Sequence, residues 1–197
     1  MKSRVLKILG LVLLLAILAA AGNYAYRLKR RAQENQQRLA DNRPVVPPVA
    51  GPTEHVTLYV AFDEQGMLLK HDAEVSLPPE RSERARQVLR ALLALYLDTS
   101  SPHPIGPGAD IKDVYLLDNG LAVIDTNAEF AEGHRSGILV EELTVASLVE
   151  TLGANIPGVS RVKILVDGKE RETLAGHADL YAIYDVGLMA QLRKDAQ

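Results

Sequence analysis

Five histidines and a scatter of hairpin-flanking carboxylates are the residues of this 197-residue chain whose types could do chemistry. His55, His71, His103, His134 and His177 show no His-x-x-x-His or His-Glu-x-x-His spacing of the kind that sets two imidazoles on one helix face for a metal. His103 and His134 fall in segments read as loops, where solvated side chains are expected rather than ligands. Asp118, Asp125, Glu129 and Asp167 lie at expected turns and strand ends. A pair drawn from them, Asp125 with Glu129, would have the acid–base character that hydrolysis needs. Asp118 and Asp167 have a simpler reason to be where they are, because Asp in a turn hydrogen-bonds its own backbone. Asp125 is placed beside Val114 on a mainly apolar face, with capping of the following turn as its expected role. Ser136-Gly137 is no nucleophile elbow, since Gly-x-Ser-x-Gly is absent. Neither Gly-x-Gly-x-x-Gly nor Gly-x-x-x-x-Gly-Lys-[Ser/Thr] occurs to cradle phosphate. The reading is therefore no catalytic, cofactor-binding or metal-binding residue, and no cofactor.

Composition narrows the classes further. With no cysteine there is no disulfide frame, thiol nucleophile, thiolate metal site or lipid-accepting cysteine. A net charge of -3, without a Lys/Arg run in the folded part, gives no reason to propose a nucleic-acid partner.

The chain divides into four stretches. Residues 1–26 read as a membrane anchor: Lys2, Arg4 and Lys7 precede the apolar run Ile8–Gly22, which Val5, Leu6 and Tyr24–Tyr26 extend to spanning length. A cleaved signal peptide with Ala19-Ala20-Ala21 at the cleavage site is the alternative. Arg27, Lys29, Arg30 and Arg31 follow the span, so the charge rule does not settle its orientation. Residues 27–54 are a basic stalk and a Pro-rich linker, Asn42–Pro52, expected to be extended. At ~3 Å per residue that linker would hold a domain ~30 Å away. Residues 55–186 form the domain and 187–197 a polar helical tail.

Within the domain, Val56, Leu58, Val60 and Phe62 alternate as a strand with one buried face, and Met67–Leu77 is its partner. Glu80–Leu97 is a helix, apolar at Ala85, Val88, Leu89, Leu92, Leu93, Leu95 and Tyr96. Asn119-Gly120 predicts a two-residue hairpin turn in which Tyr115 faces Ile124 and Leu116 faces Val123. Asn127–Gly137 is read as a connection. A second helix starts at Ser136 or Gly137 and runs to about Leu152, with Gly153 as its C′ residue; Glu141 shares the spacing of Val145, Leu148, Val149 and Leu152. Val159–Val166 is a strand, and Asp167-Gly168 predicts a hairpin whose return strand sets Glu172 opposite Lys163. The expected fold is α+β, a mostly antiparallel sheet with two helices packed on one face, in the order β-β-α-β-β-α-β-β behind an N-terminal transmembrane helix.

In this order, the Val-Thr-Leu-Tyr-Val strand, the Ala-Arg-Gln-Val-Leu-Arg-Ala-Leu-Leu helix and the Ile-Gly-Pro-Gly-Ala-Asp-Ile loop are followed by a hairpin carrying Val114, Leu116, Asp118, Gly120, Ala122, Ile124 and Asp125. A Gly-x-x-x-Glu-Glu-Leu helix and Val-x-Ile-Leu-Val-Asp-Gly complete the series. The ordered set resembles the GerMN domain of sporulation and spore germination proteins, over His55–Val186. The resemblance implies an extracytoplasmic α+β module without established catalytic residues, similar in fold to ring-building domains of secretion complexes. It implies a single-pass cell-membrane protein with the C-terminal domain outside, and a non-enzymatic binding or assembly role in the envelope. Expected partners are envelope proteins or peptidoglycan, with self-association to a homo-oligomer resting on the fold analogy alone. The competing classes are a cell-wall hydrolase acting through Asp125 and Glu129, and a solute-binding sensor.

Overall fold

The alternating run at the start of the domain forms β1 (Thr53–Phe62), whose Val56, Leu58 and Val60 are buried. It pairs antiparallel with β2 (Met67–Ser76), in register from Thr53↔Ser76 to Phe62↔Met67. The computed structural model describes residues Pro52–Asp195, so the expected anchor, stalk and most of the linker lie outside the described residues. Among those described, no helix is long and apolar enough to cross a membrane.

The order continues with α1 (Arg81–Leu97), β3 (Ile111–Leu116), β4 (Leu121–Thr126), α2 (Ala128–Glu132), α3 (Ile138–Asn155), β5 (Arg161–Val166), β6 (Tyr184–Asp185) and α4 (Val186–Asp195). The α1 terminus is fixed by Glu80, whose carboxylate accepts from the Ser82 and Glu83 amides at 2.9 and 2.6 Å. Its predicted apolar stripe is buried except at Leu95, which is half-buried. The α+β class stands, but the single sheet does not. There are two: the β1–β2 hairpin, and a four-stranded sheet in the order β3-β4-β5-β6.

What separates the sheets is α3, which runs along the free edge of β1. The Thr57 amide donates to Asn155 Oδ1 (3.0 Å), the Thr57 carbonyl accepts from Asn155 Nδ2 (2.8 Å), and the Tyr59 amide donates to Thr151 Oγ1 (2.9 Å). The Ala61 amide donates to the Tyr96 hydroxyl at 2.9 Å. Side chains thus satisfy every second residue of that edge, where an adjoining strand would otherwise pair.

In the second sheet, β4 and β5 are parallel, because α2 and α3 carry the chain between them as a crossover; the segment read as a plain connection contains α2. The hairpin register is one residue from that expected: Val114 pairs with Ile124, Tyr115 with Val123 and Leu116 with Ala122. The loop has three residues, Asp118-Asn119-Gly120, closed by Leu117 N–H to Leu121 O (2.9 Å), with Gly120 at φ 78°. The Gly120 carbonyl accepts from the Ser160 and Arg161 amides at 2.9 and 3.1 Å, tying the turn to the start of β5. The shift puts Ala122 and Ile124 in the core and leaves Tyr115 half exposed.

Two further boundaries differ from expectation. The helix does not stop at Gly153; α3 runs on to Asn155, and a Cβ at Gly153 would lie 2.2 Å from Val186 Cγ1. Glycine is there because the start of α4 packs on it. After β5 the tight turn forms, with Asp167 at φ 51° and Gly168 at φ 70°, but pairing ends at Val166↔Lys169. Lys163 explains why: its Nζ donates to the Leu180 and Tyr181 carbonyls (2.9 and 2.8 Å) and pairs with Glu170 at 3.0 Å, not with Glu172. The chain therefore loops out, and returns to β5 only at β6, where Arg161 pairs with Asp185 and Val162 with Tyr184.

Candidate functional site

Two turns of α3 carry the polar residues that organise the protein's interior, and neither was legible as a site in the sequence. The first is Glu141, fully buried on the core face. Its Oε2 accepts from the Ala175, His177 and Ala178 amides at 2.9, 2.9 and 3.0 Å. Its Oε1 accepts from the Gly137 amide (3.1 Å) and His177 Nδ1 (2.9 Å). Burial opposes its ionisation, but the His177 and backbone donors outweigh burial and bring its pKa down to about 2. The carboxylate clasps the 174–178 loop to the N-terminal turn of α3.

The second is Thr144, also fully buried. Its Oγ1 lies 2.7 Å from His103 Nε2, 2.7 Å from His134 Nε2 and 3.0 Å from the Val140 carbonyl. His103 Nδ1 donates to Asp63 Oδ1 at 2.5 Å, and His134 Nδ1 donates to the Arg135 carbonyl at 2.7 Å. Arg135 pairs with the other oxygen of Asp63, and the Tyr96 ring meets His103 edge-on at a centroid distance of 4.7 Å. Burial works against the charged form of Asp63, but hydrogen bonds from His103 and Arg135 hold its carboxyl below the usual range. Burial also pushes both imidazoles below theirs, the Asp63 contact offsetting part of this for His103 and the Arg135 carbonyl part of it for His134.

Asp63, His103 and Thr144 have the connectivity of a carboxylate–imidazole–hydroxyl triad. A nucleophile must reach its substrate, however, and both His103 and Thr144 are 0 % exposed. The set is a structural knot between the β1–β2 turn, the loop after α1, the segment after α2, and α3. The expectation of solvated His103 and His134 is corrected accordingly. Their loops are pulled inward because Asp63 and Thr144 offer buried partners on distant elements.

The carboxylates weighed for hydrolysis sit on separate elements. Asp118 and Asp167 are exposed turn residues. Asp125 lies opposite Asp113 rather than Val114, is 5 % exposed, and accepts from the Gly168 amide at 2.6 Å. Glu129 sits in the first turn of α2 beside Gly108. Among the described residues, no group of three or more His, Asp or Glu side chains is placed to hold a metal ion.

A feature open to a ligand lies on the other side of α3. A depression of about 570 Å³ is floored by Leu68, Leu143, Val145 and Ala178 and walled by Met67, Leu139, Tyr184 and Met189. Neither Asp125 nor Glu129 lines it. The Glu141 clasp sets the position of its 177–179 wall.

With β1, α1, the β3–β4 hairpin, α3 and β5 in this order, the sequence matches the model of the family Germane, described as sporulation and spore germination, across residues 57–172. The chain belongs to the Germane family. The first GerMN domain of the sporulation protein GerM from Bacillus subtilis is similar in structure, with a TM-score of 0.50 and 20 % identity, over 66 % of this chain and 95 % of that one. The tandem GerMN domains of the same protein give 0.48 and 19 % over 66 % of this chain and 45 % of that one. A putative lipoprotein from Clostridium perfringens gives 0.42 and 17 % over 72 % and 92 %. At these identities the likeness to the first GerMN domain is one of fold, and it agrees with the α+β class. No curated protein sequence matches significantly. The Germane match takes in Asp63, His103, His134, Glu141 and Thr144, and it ends before the groove residues Ala178, Asp179, Tyr184 and Met189.

Proposed function

We propose that this Germane protein is a non-enzymatic binding module of the bacterial cell envelope, held at the membrane through residues 1–26 with its domain outside, and serving sporulation or germination where the host forms spores. The observation that carries this reading is the contrast between its two polar-capable places. The hydroxyl and imidazole of the Asp63–His103–Thr144 set are sealed in the core, whereas the open depression is largely apolar and, among the described residues, is lined by no serine, threonine or lysine. A surface of that kind favours docking over bond cleavage. Its partner is taken to be an envelope protein.

A photo-crosslinking residue at Leu139, in the full chain in native membranes, tests the reading against the same residue at Tyr115, which lies outside the groove. The expected result is a discrete protein adduct at Leu139 alone. Hydrolysis of purified peptidoglycan by the full chain, abolished by Asp125→Asn, would replace the binding reading with the enzymatic one. Protease shaving of spheroplasts reads topology, and protection of the domain would sink the extracytoplasmic placement. A solute-sensing role has one observation in its favour, because about 570 Å³ lies within the range of small-molecule sites; a ligand that blocks the Leu139 adduct would point to it.

A further inference from the structure

Among the described residues, the charge lining the groove is of one sign: Glu142 and Asp179, both exposed, line it together with Glu150, and no described lysine or arginine does. His177, the remaining titratable nitrogen base there, has its Nδ1 committed to Glu141. Tyr184 projects its hydroxyl to the Asp179 carbonyl at 2.6 Å, and burial with the nearby Asp179 and Glu142 carboxylates pushes its phenol up to about 12. The two exposed carboxylates therefore act on the same point of the wall. The surrounding surface is apolar beyond what folding requires. Ile138 and Leu139 open α3 at 63 % and 49 % exposed, and Leu188, next to the wall residue Met189, is 56 % exposed. Met67 and Met189 both line the site with unbranched thioethers, side chains that refit around differing apolar shapes.

We propose that the groove docks a protein segment in which Leu, Ile or Phe side chains alternate with Lys or Arg, the apolar side chains filling the floor and the cations pairing with Glu142 and Asp179. This rests on the binding-module reading and adds the chemistry of the partner. An acidic segment is repelled by the rim, and an uncharged apolar one leaves the rim carboxylates unpaired, so the rim selects by sign while the floor supplies affinity.

The test uses the full chain in detergent and a fluorescein-labelled 14-residue helical peptide with leucines at i, i+3, i+4 and i+7 and lysines elsewhere, read by fluorescence anisotropy. Saturable binding is expected, at least tenfold weaker for Glu142→Lys/Asp179→Lys and for the same peptide with glutamates in place of lysines, and weakened by salt. Leu139→Ser should also weaken it, while Tyr115→Ser should leave it unchanged. Equal binding of the lysine and glutamate peptides would overturn the sign selection. Displacement of the peptide by millimolar spermidine but not by a leucine-rich, uncharged peptide would overturn the segment in favour of a small cationic solute. If no peptide binds while the Leu139 crosslink still traps a protein in membranes, the partner chemistry proposed here fails and the binding module stands. If both are absent, both fail.

Discussion

Glu141 and Thr144 lie one turn apart on the same buried face of α3, and they hold the fold together in opposite ways. An ionised carboxylate only accepts, and everything aimed at Glu141 only donates: four backbone amides and a His177 ring N–H. The arrangement has one satisfactory protonation state. Thr144 sits between two imidazoles whose other nitrogens must both donate, His103 to the Asp63 carboxylate and His134 to the Arg135 carbonyl. Four contacts run along the line Asp63–His103–Thr144–His134–Arg135 O, yet two neutral imidazoles and one hydroxyl supply three hydrogens. Complete bonding would need one added proton, which burial of both rings opposes, and the Val140 carbonyl competes for the threonine hydrogen as well. A second proton would set two buried cations beside one another, with ring centroids 6.1 Å apart. One centre has fixed roles and the other exchangeable roles, so the first should be rigid and indifferent to pH across the neutral range while the second titrates.

The largest expected effect breaks the fixed centre. Glu141→Ala leaves its donors without an acceptor in the core and should cost ~3–5 kcal/mol, measured by urea unfolding of the full chain. Amide exchange at Ala175, His177 and Ala178 should accelerate with it. A loss under ~1 kcal/mol would show that the loop does not depend on the clasp. Acid should reach this centre late. Its folded pKa of about 2 lies below the ordinary 4.5, so its contribution is present above pH 4.5 and is lost as pH falls towards 2. The shift corresponds to ~3 kcal/mol.

The exchangeable centre should respond sooner. Burial lowers both His103 and His134, so the folded protein binds fewer protons there than the unfolded chain. Stability therefore rises with pH through this window, is complete above the unfolded value of about 6.5, and declines as pH drops below it. Unfolding free energy followed from pH 8 to 3 should show two separate declines, and His134→Gln should shrink the first and keep the second. A single decline indifferent to that substitution would erase the distinction between the centres. At pH 8, Thr144→Val removes the single O–H that faces both ring nitrogens and should cost ~2 kcal/mol, whereas Thr144→Ser keeps the hydroxyl and should cost under ~1 kcal/mol.

Asn155 offers an intermediate case, with fixed roles but no charge. Its amide both accepts from and donates to Thr57 while capping the β1 edge. Asn155→Leu should cost ~1–2 kcal/mol. Asn155→Asp, which loses the donor and gains a charge, should cost at least as much. The exposed edge would also pair more readily with other chains, so sedimentation should show added self-association in Asn155→Leu.

The sequence makes these centres visible to different degrees. Glu141 stands on the apolar spacing of Val145, Leu148, Val149 and Leu152, so its burial was readable, but its donors come from residues 175–178, and no local pattern announces them. His103 and His134 lie in loops, and only the packing of Asp63 and Thr144 against them turns two apparently solvated rings into core. Helices and strands with a strong period survive into the structure because burial of one face is a local property. The β3–β4 register and the missing return strand after Asp167-Gly168 were decided by distant groups instead. The Gly120 carbonyl is taken by β5, and the Lys163 ammonium by the 180–181 carbonyls. The groove was out of reach for the same reason, since α3, β2, the 177–184 segment and α4 each supply only part of it.

Asp125 gives the smallest effect and the finest test of the comparison. The one-residue register shift takes it away from Val114 and points its Oδ1 at the Gly168 amide (2.6 Å), with Lys112 Nζ 3.9 Å from Oδ2. It is a fixed-role acceptor like Glu141, buried like Glu141, but with a backbone donor in place of that residue's cluster of donors. If the strength of a buried carboxylate scales with the donors it collects, Asp125→Ala should cost ~1–2 kcal/mol. Asp125→Asn, whose amide oxygen still accepts from Gly168, should cost under ~1 kcal/mol. Glu141→Gln has no such refuge. Whichever oxygen the amide replaces, its NH2 must face N–H donors, so the same carboxylate-to-amide change should be several-fold more costly at Glu141 than at Asp125. Equal costs at the two positions would mean that the buried charge, rather than the count of donors around it, sets the strength of both.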